Sequence, residues 1–266
     1  MADNERSMDT KMSRIGDAFN NKKCFIGFLT AGDPSLEKTK EFILAMEKAG
    51  ADIIEIGIPF SDPIAEGPVI QEANVRALRN GCTLLKIFNM VEELRQETQV
   101  PLVFLTYINP VFNYGYDAFC KKCQEIGVNG LIIPDLPYEE SGEIIEFTDK
   151  YNLDLIRLIA PTSEERIVKL AKDATGYIYL VSSMGVTGMR DNIKTEVDGI
   201  VERIRRCTDT PVAVGFGIHT REQVEKYFCC ADGVIVGSAI VNIIAEYGDE
   251  AAPKISEFIR EMTGRS

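Results

Sequence analysis

Histidine is almost missing from this 266-residue chain, which holds a single one, His219. Without paired Cys and His ligands around it, a zinc-dependent site is disfavoured. Long apolar runs are missing as well. No stretch approaches the roughly 20 residues that cross a bilayer, and the opening MADNERSMDTKMSR has no apolar core of the signal-peptide kind. A cytoplasmic protein without membrane contact is therefore expected. Positive charge is scarce: 29 Lys and Arg stand against 41 Asp and Glu, a net charge of −12, with no basic block. Nucleic-acid affinity rests on clustered cations that neutralise phosphates, so a nucleic-acid partner is excluded on this balance. Nucleotide fingerprints are absent too, since GVTGMR at 185–190 lacks the GxGxxG spacing and there is no GxxxxGK[ST]. The seven cysteines are odd in number and follow no disulfide framework, and the lone CxxC of Cys120 and Cys123 encloses two lysines with no second ligand pair nearby.

What is present is regular. Apolar runs read as strands at 24–30, 52–58, 101–107, 130–135, 154–160, 176–182, 211–217 and 233–238. Helical spacing follows each of them, ending in one long stretch at 239–262, and an amphipathic helix over Met8 to Asn20 opens the chain. No Gly/Ser linker or change of composition divides the sequence. Eight strand-helix units in one domain over residues 1–266 predict a (β/α)8 or TIM barrel with an additional N-terminal helix. A doubly wound sheet is the competing architecture, and the missing fingerprint counts against it.

A barrel places its chemistry where strands end and helices begin. In the strand Asp52-Ile53-Ile54-Glu55-Ile56-Gly57-Ile58, alternation puts Ile54, Ile56 and Ile58 on one face and Glu55 on the other. The all-isoleucine face is expected to meet the helices, which turns Glu55 into the barrel. Removal from water disfavours its charged form and raises its pKa towards that of a general acid and base. Asp62 and Glu66 follow on the turn-rich loop PFSDPIAEGP, either as active groups or as solvated loop charges. Glycines end the two last strands, and Gly217, Gly237 and Ser238 fit a phosphate cradle of backbone N–H groups at helix starts. The glycine-punctuated loop SSMGVTG at 182–188 suits a lid. Asp135 is either an orienting group or a capping residue, and His219 reads as a capping or surface residue beside the phosphate loop. No lysine stands at a strand end to form a Schiff base. Acid–base chemistry on a phosphorylated small molecule, carried by carboxylates, is what remains.

The segments IEIGIPFSDPIAEGP (54–68), FLTAGDP (28–34), YLVSSMGVTG (179–188), GFGI (215–218) and GSAIV (237–241) together resemble, in the same order, those of the tryptophan synthase α-subunit family. The resemblance implies retro-aldol cleavage of indole-3-glycerol phosphate to indole and glyceraldehyde 3-phosphate. It implies Glu55 as the residue that moves protons, Glu66 as hydrogen-bond partner of indole N1–H, and Tyr179 as a neighbour that sets the geometry of Glu55. Phe28, Leu105, Tyr107 and Ile133 would wall the indole, while Gly188, Gly217, Gly237 and Ser238 would hold the phosphate. Asp62 and Thr187 would meet when loops close over substrate. The best-known members carry Asp at the position of Glu66, so Glu66→Asp is expected to be tolerated. No cofactor is implied in this chain; pyridoxal phosphate belongs to the β subunit with which such chains form an α2β2 complex. The other readings are a different phosphosugar barrel, such as an isomerase of pentose phosphates, and a non-catalytic activator of the β partner.

Overall fold

The computed structural model describes residues 14–20, 22–161, 164–181, 190–215 and 217–265. Nine parallel strand segments form one sheet: β1 (Cys24–Thr30), β2 (Ile53–Gly57), β3 (Leu102–Leu105), β4 (Gly130–Ile132), β5 (Asp154–Leu155), β6 (Arg157–Ile159), β7 (Ile178–Val181), β8 (Val212–Gly215) and β9 (Gly233–Val236). Their order is β5-β4-β3-β2-β1-β9-β8-β7-β6. The two ends of that order are consecutive pieces of one segment, parted only by Ile156. Its first half pairs with β4 and its second with β7, so this segment closes the ring and the eight-strand expectation holds with the fifth strand shared between two neighbours. Tilted strands in a closed barrel are staggered, which is why one strand meets its two neighbours at different heights.

Strand alternation separates two cores. Inside the ring, Ile26, Ile53, Val103, Ile132, Ile156 and Tyr177 pack together, and Ile15 and Phe19 from the helix Arg14–Ala18 and the turn after it plug the end where the strands begin. The expected opening helix over Met8 to Asn20 is seen over Arg14–Ala18, and its first residues lie outside the described ones. Outside the ring, Ile54, Ile56 and Ile58 join the much larger core between strands and helices, as the isoleucine pattern predicts. Cys120 and Cys123 are buried in that outer core, where desolvation raises both thiols, Cys120 to about 12. They serve packing, since a reactive cysteine needs its thiolate.

Two helical expectations change. A helix at Ile108–Tyr114 follows β3 directly, with Pro110 in its first turn. Proline is harmless in a first turn, where its missing N–H has no helical partner. The stretch read as one helix over 239–262 is two, Ser238–Tyr247 and Ala251–Thr263, because Gly248 adopts a φ of 53° at the end of the first. Among the described residues no helix is long and apolar enough to cross a membrane.

Candidate active site

With its lower end filled, the barrel is left with a cavity of about 610 Å³ at the C-terminal ends of the strands. Glu55 forms its floor. Lying on β2 between Ile53 and Gly57 on the inward face, it is 1% exposed. The hydroxyl of Tyr177 donates to its Oε1 at 2.5 Å. Burial pushes the Glu55 carboxyl up to about 7 against the opposing pull of that hydrogen bond. Tyr179, two residues beyond Tyr177 and so on the same face of its strand, is half-buried at the cavity wall. Burial, then the charge of Glu55, raises its phenol.

Two missing side chains make this arrangement possible. A Cβ on Gly215 would lie 2.5 Å from the Tyr179 hydroxyl oxygen, and a Cβ on Gly57 would lie 2.7 Å from the Phe28 ring. Both rings therefore lie flat across neighbouring strands inside the barrel. Phe28 and Leu105 wall the cavity above Glu55.

Glu66 enters from the loop between β2 and the helix Pro68–Arg79. Asn74 of that helix donates from Nδ2 to Glu66 Oε2 at 2.5 Å, and Gln71 donates to the Glu66 carbonyl at 2.7 Å. The Tyr107 hydroxyl faces the same carboxylate and accepts from the Ala65 N–H at 3.1 Å. Burial raises the Glu66 carboxyl, and the Asn74 and Tyr107 bonds pull it back down. Tyr107 thus stands behind Glu66, stacked on Phe60 at 5.2 Å between ring centres, and does not line the cavity as expected of an indole wall. Ile133 requires a correction as well. It packs in the outer core, because alternation along the chain sends Ile132 inward and brings Pro134 to the cavity.

At the opposite side, Gly217 takes a φ of 71° and Gly237 precedes the helix Ser238–Tyr247 without a side-chain cap, leaving that helix's first N–H groups open to the cavity. Gly217, Gly237 and Ser238 all line it, and among the described lining residues there is no Lys or Arg. An anion here would rest on backbone dipoles. His219 is exposed at the same mouth with Nδ1 2.7 Å from the Gly217 carbonyl, while Thr220 rather than His219 caps the helix Arg221–Phe228. Asp135 accepts from the Ile108 N–H at 2.9 Å and so takes the capping role. Asp62 is exposed and accepts from Ser61 Oγ at 2.5 Å. Thr187, Gly188 and the rest of the loop 182–188 lie outside the described residues.

The partner of Glu55 that the sequence reading missed is Tyr177. Its signal was available, for Tyr177 and Tyr179 share the inward face of one strand. Barrel chemistry is expected at strand ends, however, and Tyr177 lies one repeat of the pleat deeper.

A parallel barrel with a buried carboxyl raised to about 7, a second carboxylate on the neighbouring loop and an uncapped helix start across an apolar cavity suits an acid–base enzyme that acts on a largely apolar small molecule. Residues 17–264 match the family described as tryptophan synthase alpha chain. The tryptophan synthase alpha chain of Lacticaseibacillus casei is 51% identical over 251 residues, covering 94% of each chain. That of Alkaliphilus metalliredigens is 49% identical over 245 residues, covering 91% of this chain and 92% of its own. Among solved structures, tryptophan synthase subunit alpha from Legionella pneumophila superposes with a TM-score of 0.87 at 36% identity, covering 95% of this chain and 98% of its own. A chain of the tryptophan synthase α2β2 complex from Pyrococcus furiosus superposes with a TM-score of 0.84 at 37% identity, covering 91% and 99%. The chain belongs to the tryptophan synthase alpha chain family. With that membership comes the α-subunit role in tryptophan biosynthesis.

Proposed function

We propose that the cavity cleaves indole-3-glycerol phosphate by a retro-aldol reaction in which Glu55 moves the protons and Glu66 steadies the ring nitrogen. The observation that carries this reading is Glu55 itself, a buried carboxyl raised to about 7 with a single side-chain donor on it. A group with a pKa near the working pH gives up and takes back a proton with equal ease. Protonated Glu55 delivers its proton to indole C3, and the ring becomes an iminium ion. The N1–H of that ion donates to the Glu66 carboxylate, whose charge opposes the developing positive charge. The bond from C3 to the hydroxyl-bearing carbon then breaks. Its electron pair returns to the ring, the hydroxyl proton passes to the Glu55 carboxylate, and the carbon becomes the aldehyde of glyceraldehyde 3-phosphate. Glu55 ends protonated, as it began, and the protonated ring serves as the electron sink.

Phe28 and Leu105 pack the indole in this reading, with Tyr179 beside Glu55. The phosphate rests on Gly217, Gly237 and Ser238 at the start of the helix Ser238–Tyr247, and Gly188 is assigned to the same group. Asp62 is assigned to meet Thr187 when the loops close. Pyridoxal phosphate is assigned to the β subunit and the reaction to the cytoplasm. For the β subunit we assign the surface carrying Ile64 and Phe112, large apolar residues 80% and 64% exposed on the segments that follow β2 and β3. The test is indole release from indole-3-glycerol phosphate by the purified chain, with and without β subunit. Release that rises with the partner and vanishes in Glu55→Gln supports the reading, and full activity in Glu55→Gln refutes it.

A further inference from the structure

The helix Pro68–Arg79 buries Ala73, Asn74 and Ala77. Its Ala73 packs with Phe28, Val241, Ile70 and Leu105, so this face of the helix is the apolar backing of the cavity. Asn74, 3% exposed, is the polar residue in that backing. Burying an amide among apolar groups is unfavourable unless it makes hydrogen bonds. Its Nδ2 makes one at 2.5 Å, to Glu66 Oε2, across eight residues of sequence. Asn74 itself does not line the cavity, whereas Glu66 does. The amide therefore holds the carboxylate from behind.

We propose that Asn74 is a positioning residue for Glu66, fixing one carboxylate oxygen so that the group presents its remaining lone pairs to the indole N–H. The proposal rests on the reading of Glu66 as the partner of N1–H. An aspartate would withdraw the carboxylate by about 1.5 Å, the length of one carbon–carbon bond, and a contact of 2.5 Å to Asn74 does not survive that withdrawal. Glutamate and Asn74 then work as a pair, and the tolerance of Glu66→Asp expected from the sequence gives way to the opposite expectation. The groups packed against Glu66 are Tyr107, which bonds to it from the start of the helix Ile108–Tyr114, and Gln71, on its backbone carbonyl. Asp135 acts on Tyr107 from the segment after β4, and Glu55 shares the cavity. Of the two side-chain bonds that favour the ionised form of Glu66, Asn74 supplies one.

The test is steady-state indole release by the full chain saturated with β subunit, in Asn74→Ala, Glu66→Asp and the double variant, across pH. Asn74→Ala is expected to lower kcat by about tenfold to a hundredfold with KM within about threefold, the loss of one bond to a charged group that acts on the reacting state. Glu66→Asp is expected to lose a similar factor, and in that background Asn74→Ala is expected to cost less than about twofold, because the bond is already gone. Removing the donor disfavours the ionised form, so the acid limb of kcat/KM moves to higher pH. A direct readout is the carboxyl ¹³C titration of Glu66, identified by its disappearance in Glu66→Gln; its midpoint moves up in Asn74→Ala and further in Asn74→Asp, where a like charge faces it. Asn74→Asp conserves volume, so it tests the bond even where alanine unfolds the helix. Equal losses from Asn74→Ala in both backgrounds, or an unmoved Glu66 midpoint, overturn the proposal alone. Full activity in Glu66→Gln overturns the assignment of Glu66 and this proposal with it.

Discussion

Tyr177→Phe removes one hydroxyl from the buried interior and keeps the ring that packs 6.0 Å from Phe19. The hydroxyl donates to Glu55 and is the group that restrains its pKa, which burial has already lifted from 4.5 to about 7. A hydrogen bond to a charged acceptor is worth about 1.5–3 kcal/mol, or roughly one to two pKa units at 1.36 kcal/mol each. Without it Glu55 is expected to titrate at roughly 8–9. The mechanism starts from protonated Glu55, so loss of that proton sets the alkaline limb of kcat/KM, and this profile reports the free enzyme. Wild type should show the limb near 7, the value set by burial, and Tyr177→Phe should move it up by roughly one to two units. The assay is indole release under kcat/KM conditions between about pH 5 and 10, a range chosen to bracket both values. An alkaline limb that stays in place, or falls, refutes the claim that Tyr177 stabilises the ionised carboxylate.

Glu55→Gln should abolish cleavage while a substrate analogue still binds within about fivefold, since the amide keeps the shape and cannot carry the proton; analogue titration by calorimetry checks the second half. The same residue has a stability consequence. A folded-state pKa raised from 4.5 to about 7 means that wild type loses stability relative to Glu55→Gln as pH rises through that window, by about 3 kcal/mol at 1.36 kcal/mol per unit. Urea unfolding at pH 4 and pH 9 tests it, and a constant difference between the two proteins counts against the raised pKa. Gly215→Ala places a carbon 2.5 Å from the Tyr179 hydroxyl oxygen; kcat should fall by at least about tenfold, given the sensitivity of positioned groups to shifts near 1 Å. Phe112→Asp should weaken β-subunit binding by about tenfold or more, because a charge then replaces an exposed apolar anchor; an unchanged Kd removes Phe112 from that surface.

The barrel was legible because two periods alternate along the chain, and because the isoleucines at 54, 56 and 58 leave Glu55 only the inner face. How the ring closes was not legible. Residues 154–160 read as one strand, and nothing local says that its halves serve different neighbours. Gly217, Gly237 and Ser238, which line the cavity, were singled out by ordinal position, since barrels repeat that geometry. Tyr107 and Ile133 were misplaced for different reasons: strand 3 ends sooner than its apolar run, whereas Ile133 falls on the outward phase of the alternation that sends Ile132 inward. β3 stops at Leu105, and Tyr107 already begins a helix. Apolar character continues past the strand because the outer core needs it too. Asn74 was invisible in sequence, for an asparagine on a helix is an ordinary surface residue until the fold buries it beside Glu66.

In the proposed reaction two glutamates of one cavity take different roles because the fold bonds them differently. Burial raises both. Glu55 has one side-chain donor and rises to about 7, whereas Glu66, on a half-buried loop, has both Asn74 and Tyr107 pulling it back towards ionisation. Environments that push two carboxyls apart assign the acid and the anion. Near neutrality the floor of the barrel then exchanges its proton easily, while Asn74 and Tyr107 oppose the rise that burial imposes on Glu66. The activity should therefore peak between the titration of Glu66 and that of Glu55. Because each limb answers to a different donor, Tyr177→Phe should shift only the alkaline side and Asn74→Ala only the acid side. A variant that moves both limbs together would show that the carboxyls titrate as one coupled pair, and the division of labour between them would fail.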